Sequence, residues 1–185
     1  MPSRPRLIIV SGAPGSGKST LAHQLATTLR LPMLMKDELK EAIADSDGAP
    51  ESVAASMRIG EVAYAVLQLV ARRVIEAGQG ALIESNFRRG LSEGYLASLV
   101  ASADARLVHC TAPDDVLRDR YAARFARGER HPAHLDDARA GALEEDLRAG
   151  RFEPLELGVP TLVVDTEDAY RPPLDAILAF CRAPA

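Results

Sequence analysis

Residues 7–20 read Leu7-Ile8-Ile9-Val10-Ser11-Gly12-Ala13-Pro14-Gly15-Ser16-Gly17-Lys18-Ser19-Thr20. An apolar, β-branched run, typical of a buried strand, leads directly into the pattern G-x-x-x-x-G-K-[ST], and a helical pattern follows it. In that setting the glycines allow consecutive backbone N–H groups to point inward at a phosphate, and the start of the helix adds unpaired N–H groups. The stretch therefore predicts a strand, a phosphate-binding loop and a helix, in that order.

The phosphate-binding loop supplies the first candidate site residues. We expect Lys18 to lie along the β- and γ-phosphate oxygens of a nucleoside triphosphate, and the Ser19 hydroxyl to ligate Mg²⁺. A chance match in a glycine-rich turn is the alternative, but the strand before and the helix after make it rare. The predicted nucleotide-binding set is Gly12, Ala13, Pro14, Gly15, Ser16, Gly17, Lys18, Ser19 and Thr20.

Length and composition narrow the class of protein. The 185 residues are 47% apolar and 26% charged, which predicts one globular domain over residues 1–185. The longest apolar runs fall short of the ~20 residues that cross a bilayer, so we expect no membrane span and a cytoplasmic protein, either a monomer or a homodimer. Cys110 and Cys181 lack metal-ligand spacing and are expected to be buried free thiols. The net charge of −4 argues against nucleic acid as a partner.

Strand and helix patterns alternate along the chain. Strands are predicted near residues 6–11, 31–35, 80–85, 106–110 and 160–165, with helical patterns between and after them. This alternation predicts a three-layer α/β fold, with a parallel sheet covered by helices on both faces. Ligands bind at the carboxyl ends of the strands in such sheets. The phosphate-binding loop is therefore expected to share one edge with residues 36–37, 84–86 and 166–168.

Polar residues follow the second and third predicted strands. Asp37 stands just past the second strand, where a carboxylate can accept a hydroxyl proton or merely cap the following helix; the two roles are compatible. Glu84 ends an otherwise apolar strand and is predicted either to hold Mg²⁺ through water or to contact a substrate. Asn86 and Arg88 are candidate substrate-binding groups or ordinary loop residues.

An arginine-rich segment precedes a second helical pattern. Arg120, Arg124 and Arg127 fall on one helical face, and Arg130 lies beyond Gly128. A solvated, salt-bridged face is one interpretation. The other, favoured by the phosphate-binding loop, is a lid over about residues 120–148 in which Arg124, Arg127 and Arg130 neutralise phosphate charge and Arg120 stacks on the base. His131 and His134 are expected to be surface loop residues.

These segments together resemble the small P-loop kinase-like ATPases, including zeta-toxin-type and chloramphenicol phosphotransferase-type enzymes and the kinase domain of polynucleotide kinases. The resemblance rests on residues 12–20, 36–37, 84–86, 120–132 and 163–166. It implies a P-loop NTPase fold, a five-stranded sheet ordered 2-3-1-4-5 with a helical lid, ATP and Mg²⁺ as donor, and a hydroxyl acceptor. It also implies that Asp37 acts as base and that the lid arginines contact the transferring phosphate. Glu84 stands where Asp is commoner.

The sequence thus predicts an ATP- and Mg²⁺-dependent kinase acting on a hydroxyl of a small molecule, with Lys18, Asp37 and the lid arginines as catalytic residues. The substrate is expected between residues 37–78 and the lid, near Asp37, Glu84, Asn86 and Arg88. One alternative is a polynucleotide 5′-hydroxyl kinase, which needs a basic channel and stacking aromatics, whereas aromatic content is 4%. The other is a nucleotide-dependent ATPase or switch, which needs no acceptor base at Asp37.

Overall fold

The computed structural model describes residues 4–128 and 131–183, without the side chains of residues 125 and 136–140. Five strands alternate with helices, as the sequence predicts. The strands are β1 (Arg6–Gly12), β2 (Met33–Met35), β3 (Ala81–Glu84), β4 (Asp104–Thr111) and β5 (Thr161–Asp165). The helices are α1 (Lys18–Leu29), α2 (Lys36–Asp47), α3 (Val53–Glu76), α4 (Glu93–Ser102), α5 (Asp114–Ala126), α6 (Asp136–Arg148) and α7 (Leu174–Arg182), and a 3₁₀ turn covers Pro132–His134.

The sheet is parallel and has the order β2-β3-β1-β4-β5, which confirms the predicted topology. Its register brings the carboxyl ends of the strands to one edge. Glu84, the last residue of β3, pairs with Met35 of β2 and with Val10 of β1. Thr111 at the end of β4 pairs with Asp165 at the end of β5. The loops that follow these strands therefore meet at the same edge as the phosphate-binding loop.

Alternating side chains of β1 build the two halves of the core. Leu7 and Ile9 face a layer in which α3 and α4 contribute buried apolar side chains, including Leu67 and Leu96. Ile8 and Val10 face the opposite layer, made by α1 and α7. A strand buried on both faces reads as a continuous apolar run, which is why residues 7–10 carry no polar side chain.

Two element boundaries differ from the sequence-based expectation. The sequence predicts a helix from Asp37 to about Ala44, which the breaker cluster at residues 45–50 ends, but α2 continues to Asp47. Gly48 ends α2 at φ 100° and donates its N–H to the Ala44 carbonyl. β2 is shorter than expected, although the Pro32 carbonyl still accepts from Leu82 N at 2.9 Å. α2 thus starts directly after β2, and the sheet fixes the position of its first turn.

Within the described part of the chain, α3 is the one helix long and apolar enough, by length and composition, to cross a membrane. Core helices pass the same test, so this is weak evidence for a span. Ala63, Leu67, Ala71 and Ile75 of α3 are buried in the core against the sheet.

Candidate active site

The phosphate-binding loop is held by close backbone contacts that exclude larger residues. Gly12 has φ 147°, and a Cβ there would lie 2.3 Å from the Cys110 carbonyl oxygen. Gly15 has φ 86°, and its Cβ would lie 2.8 Å from the Leu117 carbonyl oxygen of α5. L side chains rarely adopt these φ values, and the neighbouring backbone leaves no room for one. Both glycines are therefore needed for the path of the loop.

Glu84 lies beside the two functional side chains of the loop. Its Oε1 atom is 3.9 Å from Lys18 Nζ, and its Oε2 atom accepts from the Ser19 hydroxyl at 3.4 Å. Burial raises the pKa of Glu84, and the charge of Lys18 opposes that rise. A carboxylate and a hydroxyl at this spacing form an oxygen donor set of the kind Mg²⁺ takes together with water and phosphate. Among the described residues no cluster of three His, Cys, Asp or Glu side chains offers a separate metal site.

Two cavities meet at the carboxyl edge of the sheet. The smaller, about 290 Å³, is lined by Lys18 and Ser19 of the loop and by Arg124 of α5. The larger, about 430 Å³, is lined by side chains from α2, α3, α4, α5 and α6, including Lys36, Tyr64, Tyr95, Tyr121 and Leu143. Pro14, Asp37 and Asn86 line both cavities. Asp37 thus lies at the junction of the smaller and the larger cavity.

A chain of contacts holds Asp37 in this position. It lies in the first turn of α2, where an acidic side chain is favoured by the helix dipole. Lys36 Nζ is 3.2 Å from Asp37 Oδ1 and 5.6 Å from the ring centroid of Tyr64. The Tyr64 hydroxyl is 2.7 Å from Ser85 Oγ. Burial raises the pKa of Tyr64 to about 12, and the nearby Asp37 charge adds to the rise, so the phenol is a neutral group near neutral pH.

The predicted lid arginines occupy different positions. Arg124 lines the smaller cavity. Arg120 donates to the carbonyl oxygens of Gly15 at 3.2 Å, Thr166 at 2.7 Å and Glu167 at 2.6 Å, so it joins the loop to the segment after β5. Arg127 is exposed and has interactions of its own. Arg130 lies outside the described residues.

Arg88 and Asn86 follow β3, as predicted, and line the larger cavity. The Arg88 Nε atom is 3.2 Å from Asp146 Oδ2 of α6, and its backbone N–H donates to Ser92 Oγ at 2.8 Å. The segment after β3 is thereby connected to α6, which also contributes to the lining of the cavity. Of the predicted substrate-binding residues, Glu84 is the one found against Lys18 and Ser19, outside the lining of the larger cavity.

Comparison with known proteins identifies the family of this chain. A family model described as an AAA domain matches residues 7–149. The chain belongs to this AAA domain family. A solved structure of a candidate kinase from Chloroflexus aurantiacus J-10-fl is 39% identical, with a TM-score of 0.86 over 97% of this chain and 98% of that one. Adenylate kinase 1 of Synechocystis is 32% identical over 126 residues, which are 63% of this chain and 67% of that protein.

A more distantly related solved structure has the same fold as this chain. The APS kinase CysC of Mycobacterium tuberculosis, solved with AMPPNP and APS, has a TM-score of 0.61 at 16% identity, and the match covers 98% of this chain and 100% of that one. The resemblance to small P-loop kinase-like ATPases is thus confirmed, as is the fold class. The kinases among these relatives support a nucleotide-dependent kinase.

Several side chains of the AAA domain's larger cavity were missed by the sequence-based predictions. Lys40 is fully buried, and its Nζ donates to Ser56 Oγ at 2.6 Å, which in turn donates to the Ala133 carbonyl at 2.7 Å. Tyr64, Tyr95 and Ser85 also belong here, and their helical or strand spacing alone indicates only amphipathic elements. A lysine inside a helix gives no sign that it is buried, because lysine is usually a surface residue.

The expectation that His131 and His134 are surface loop residues was wrong for His134. It is 2% exposed, and its Nε2 atom lies 2.8 Å from Glu41 Oε1 on α2. His131 Nε2 lies 3.0 Å from Asp45 Oδ1, one helical turn further along α2. The two carboxylates are four residues apart and so lie on one face of α2, where each pairs with one of the two histidines, which are three residues apart. That spacing was the available signal, but it needs the tertiary fold to be recognised.

Proposed function

We propose that the protein is an ATP- and Mg²⁺-dependent kinase that transfers the γ-phosphate to a hydroxyl group of a small molecule. The observation that carries the proposal is the position of Asp37, which lines both the smaller cavity with Lys18 and Ser19 and the larger cavity beside it. A phosphoryl donor and a hydroxyl acceptor placed in these two cavities have their reacting atoms within reach of one carboxylate. In-line transfer needs the acceptor oxygen to approach the γ-phosphorus opposite the ADP oxygen, and a carboxylate beside that path can accept the hydroxyl proton.

The smaller cavity supplies the donor half of the site. The backbone N–H groups of residues 12–19 bind the phosphates, and Lys18 Nζ, held 3.3 Å from the Ala13 carbonyl, lies along the β- and γ-phosphate oxygens. Ser19 would hold Mg²⁺ directly through its hydroxyl, and Glu84 would hold it through water. Mg²⁺, when bound with ATP, neutralises negative charge on the phosphates. Arg124 adds a second positive charge from the side of α5.

The larger cavity supplies the acceptor half. A hydroxyl there donates its proton to Asp37 as its oxygen bonds to the γ-phosphorus, and the bond from that phosphorus to the ADP oxygen breaks. Residues 37–78 form the substrate-binding segment, and residues 120–148 form a lid within the single domain 1–185. Arg127 and Arg130 reach the phosphates when the lid closes, and Arg120 lies against the base.

A second candidate function is transfer to a phosphate acceptor, because the adenylate kinase of Synechocystis is 32% identical to this chain. The carboxylate of Asp37 between the cavities opposes it. An anionic phosphate acceptor placed there would be repelled by Asp37, whereas a hydroxyl needs an acceptor for its proton. AMP is therefore included as an acceptor in the test below.

The test measures ADP release and phosphorylated product with ATP and Mg²⁺ over a panel of hydroxyl compounds and AMP. We expect Asp37→Asn to lower the acceptor-dependent rate by about 10²- to 10⁴-fold, because the hydroxyl proton loses its acceptor. The dissociation constant of a non-hydrolysable ATP analogue changes little, since the amide preserves the size of the side chain. Lys18→Ala weakens both binding of the analogue and transfer.

Asp47→Asn provides the matched control, because Asp47 is an exposed carboxylate at the far end of the same helix. It is expected to retain the wild-type rate. The kinase proposal fails if ADP release is indifferent to every acceptor, or if Asp37→Asn transfers phosphate as fast as Asp47→Asn. If AMP is the one compound phosphorylated, the proposed hydroxyl acceptor is wrong and the acceptor is a phosphate group.

A further inference from the structure

One wall of the larger cavity is aromatic and apolar. The Tyr64 and Tyr95 rings stack with centroids 6.1 Å apart and an angle of 14° between their planes. Met57, Leu91 and Tyr95 line the cavity and are 52%, 50% and 55% exposed, respectively. Large apolar side chains that remain exposed around a concave site indicate that the ligand covers them with apolar surface of its own. Tyr95 is the aromatic member of these exposed side chains.

The charged side chains of the same cavity balance one another. The described lining contains three cations and three carboxylates, Lys36, Lys40 and Arg88 against Asp37, Glu61 and Asp146. It also contains His134, whose Nε2 atom lies 2.8 Å from the carboxylate of Glu41 outside the lining. Lys36 is 3.2 Å from Asp37, and Arg88 is 3.2 Å from Asp146. A site for an anionic group needs positive charge in excess of its own carboxylates, because desolvating an anion without such compensation is costly. The described lining offers no such excess, so its charge favours an uncharged ligand.

The aromatic wall and the reacting end of the cavity are continuous. Asp37 contacts Lys36, Lys36 lies over the Tyr64 ring, and Tyr64 stacks on Tyr95. A ligand that covers the Tyr95 ring and extends along this wall reaches Asp37 with its other end. The cavity volume of about 430 Å³ is in the range of small-molecule sites.

We propose that the acceptor is an uncharged alcohol with a flat apolar portion, which lies on Tyr95 while its hydroxyl reaches Asp37. This inference rests on the proposed kinase function and names its acceptor class. The hydroxyl oxygen bonds to the γ-phosphorus, its proton passes to Asp37, and ADP leaves with the electrons of the broken bond. Tyr95 determines specificity and takes no part in the bond changes.

The test compares three probes that share a primary alcohol: 2-naphthalenemethanol, its analogue 6-(hydroxymethyl)-2-naphthoic acid, and erythritol. Binding to the full chain is measured by calorimetry, and phosphorylation with ATP and Mg²⁺ is followed by mass spectrometry. The neutral aryl alcohol is expected to bind at least tenfold more tightly than the other two. Tyr95→Ala should weaken that binding about tenfold, whereas Tyr95→Phe keeps it, because the stacking surface is a ring and not a hydroxyl.

Leu69→Ala is the matched control, since Leu69 is 46% exposed on α3 and lies outside the cavity lining. It should bind the aryl alcohol as the wild type does. Tighter binding of the carboxylate or of erythritol, no binding of the aryl alcohol, or an equal loss in Leu69→Ala would each overturn the inference. Binding of the aryl alcohol without phosphorylation leaves the ligand class standing and counts against the kinase proposal. Faster phosphorylation of 6-(hydroxymethyl)-2-naphthoic acid than of the neutral aryl alcohol supports the kinase proposal and contradicts the proposed ligand class.

Discussion

Arg120 provides the strongest single test of how the nucleotide site is held together. Its guanidinium donates to the carbonyl oxygens of Gly15, Thr166 and Glu167, which belong to the phosphate-binding loop and to the segment after β5. Thr166 supports the same junction, because its Oγ1 donates to the Ser16 carbonyl at 2.9 Å. Arg120→Met preserves much of the apolar part of the side chain and removes the guanidinium N–H donors. The expected result is a less stable protein with a looser nucleotide site.

The magnitude follows from the three carbonyl contacts. A hydrogen bond from a charged donor contributes about 1.5–3 kcal/mol, and a carbonyl left without a partner adds a desolvation cost. Arg120 is half-buried, so the released carbonyl groups regain part of their hydration. The free energy of unfolding should therefore fall by about 2–4 kcal/mol, less than the simple sum. For a chain of this length that corresponds to a Tm lower by about 5–15 °C.

The assay combines thermal unfolding with calorimetric titration of a non-hydrolysable ATP analogue. Arg118→Met is the control, since Arg118 lies on the same helix, is 45% exposed and pairs with Glu144 at 2.7 Å. Exposed ion pairs contribute little, so its Tm should stay within about 2 °C of the wild type. Arg120→Met should also weaken binding of the ATP analogue about tenfold, because the Gly15 carbonyl loses its hydrogen bond from Arg120. Equal Tm losses in the two variants would refute the role assigned to Arg120.

Three other side chains give expectations that single variants test. Burial lowers the pKa of His109 to about 4. Between pH 7 and pH 4 the imidazole of His109 is therefore protonated in the unfolded chain and stays largely neutral in the folded chain. The free energy of unfolding from urea titrations should fall by about 3 kcal/mol over that range, and His109→Gln should remove this part of the fall. Glu84→Gln should raise the Mg²⁺ concentration needed for half-maximal rate about tenfold with the acceptor KM unchanged; a change confined to the acceptor KM would place Glu84 on the substrate instead. Leu67→Ala, at a fully buried position of α3, should lower the free energy of unfolding by about 2–5 kcal/mol, and exposed Leu69→Ala should leave the denaturation midpoint nearly unchanged.

The donor half of the site was predictable because its chemistry lies in consecutive residues. The pattern from Gly12 to Ser19 encodes its own backbone path, and strand β1 before it and helix α1 after it are also local. The positions of Asp37 and Glu84 followed from a general property of parallel sheets, in which the carboxyl ends of strands share one edge. The register Met35–Glu84–Val10 shows why that argument succeeds for residues one or two positions past a strand.

The larger cavity was not predictable in the same way, because its described walls come from five helices and from the loops between elements. Tyr64 on α3 and Tyr95 on α4 stack only once both helices pack on the sheet. The position of each tyrosine along its helix predicts which helical face it lies on, but it does not predict which residue of another helix it contacts. The burial of His134 depends likewise on Glu41, which is 93 residues away in the chain. Pairing at such separations is decided by packing, which single-sequence periodicity does not contain.

This difference between the two halves has a structural origin in how α2 begins. Asp37 is the second residue of a helix that follows β2 without a loop, so the sheet fixes the carboxylate relative to Lys18 whatever the rest of α2 contacts. The remaining wall of the larger cavity, by contrast, depends on contacts between different elements, such as Arg88 of the segment after β3 with Asp146 of α6 and Lys40 of α2 with Ser56 of α3. Substitutions on that wall can alter the shape of the larger cavity while leaving the loop, Glu84 and Asp37 in register. We therefore expect changes at Tyr95 to act on which acceptor binds, and changes at Asp37 to act on whether any acceptor reacts.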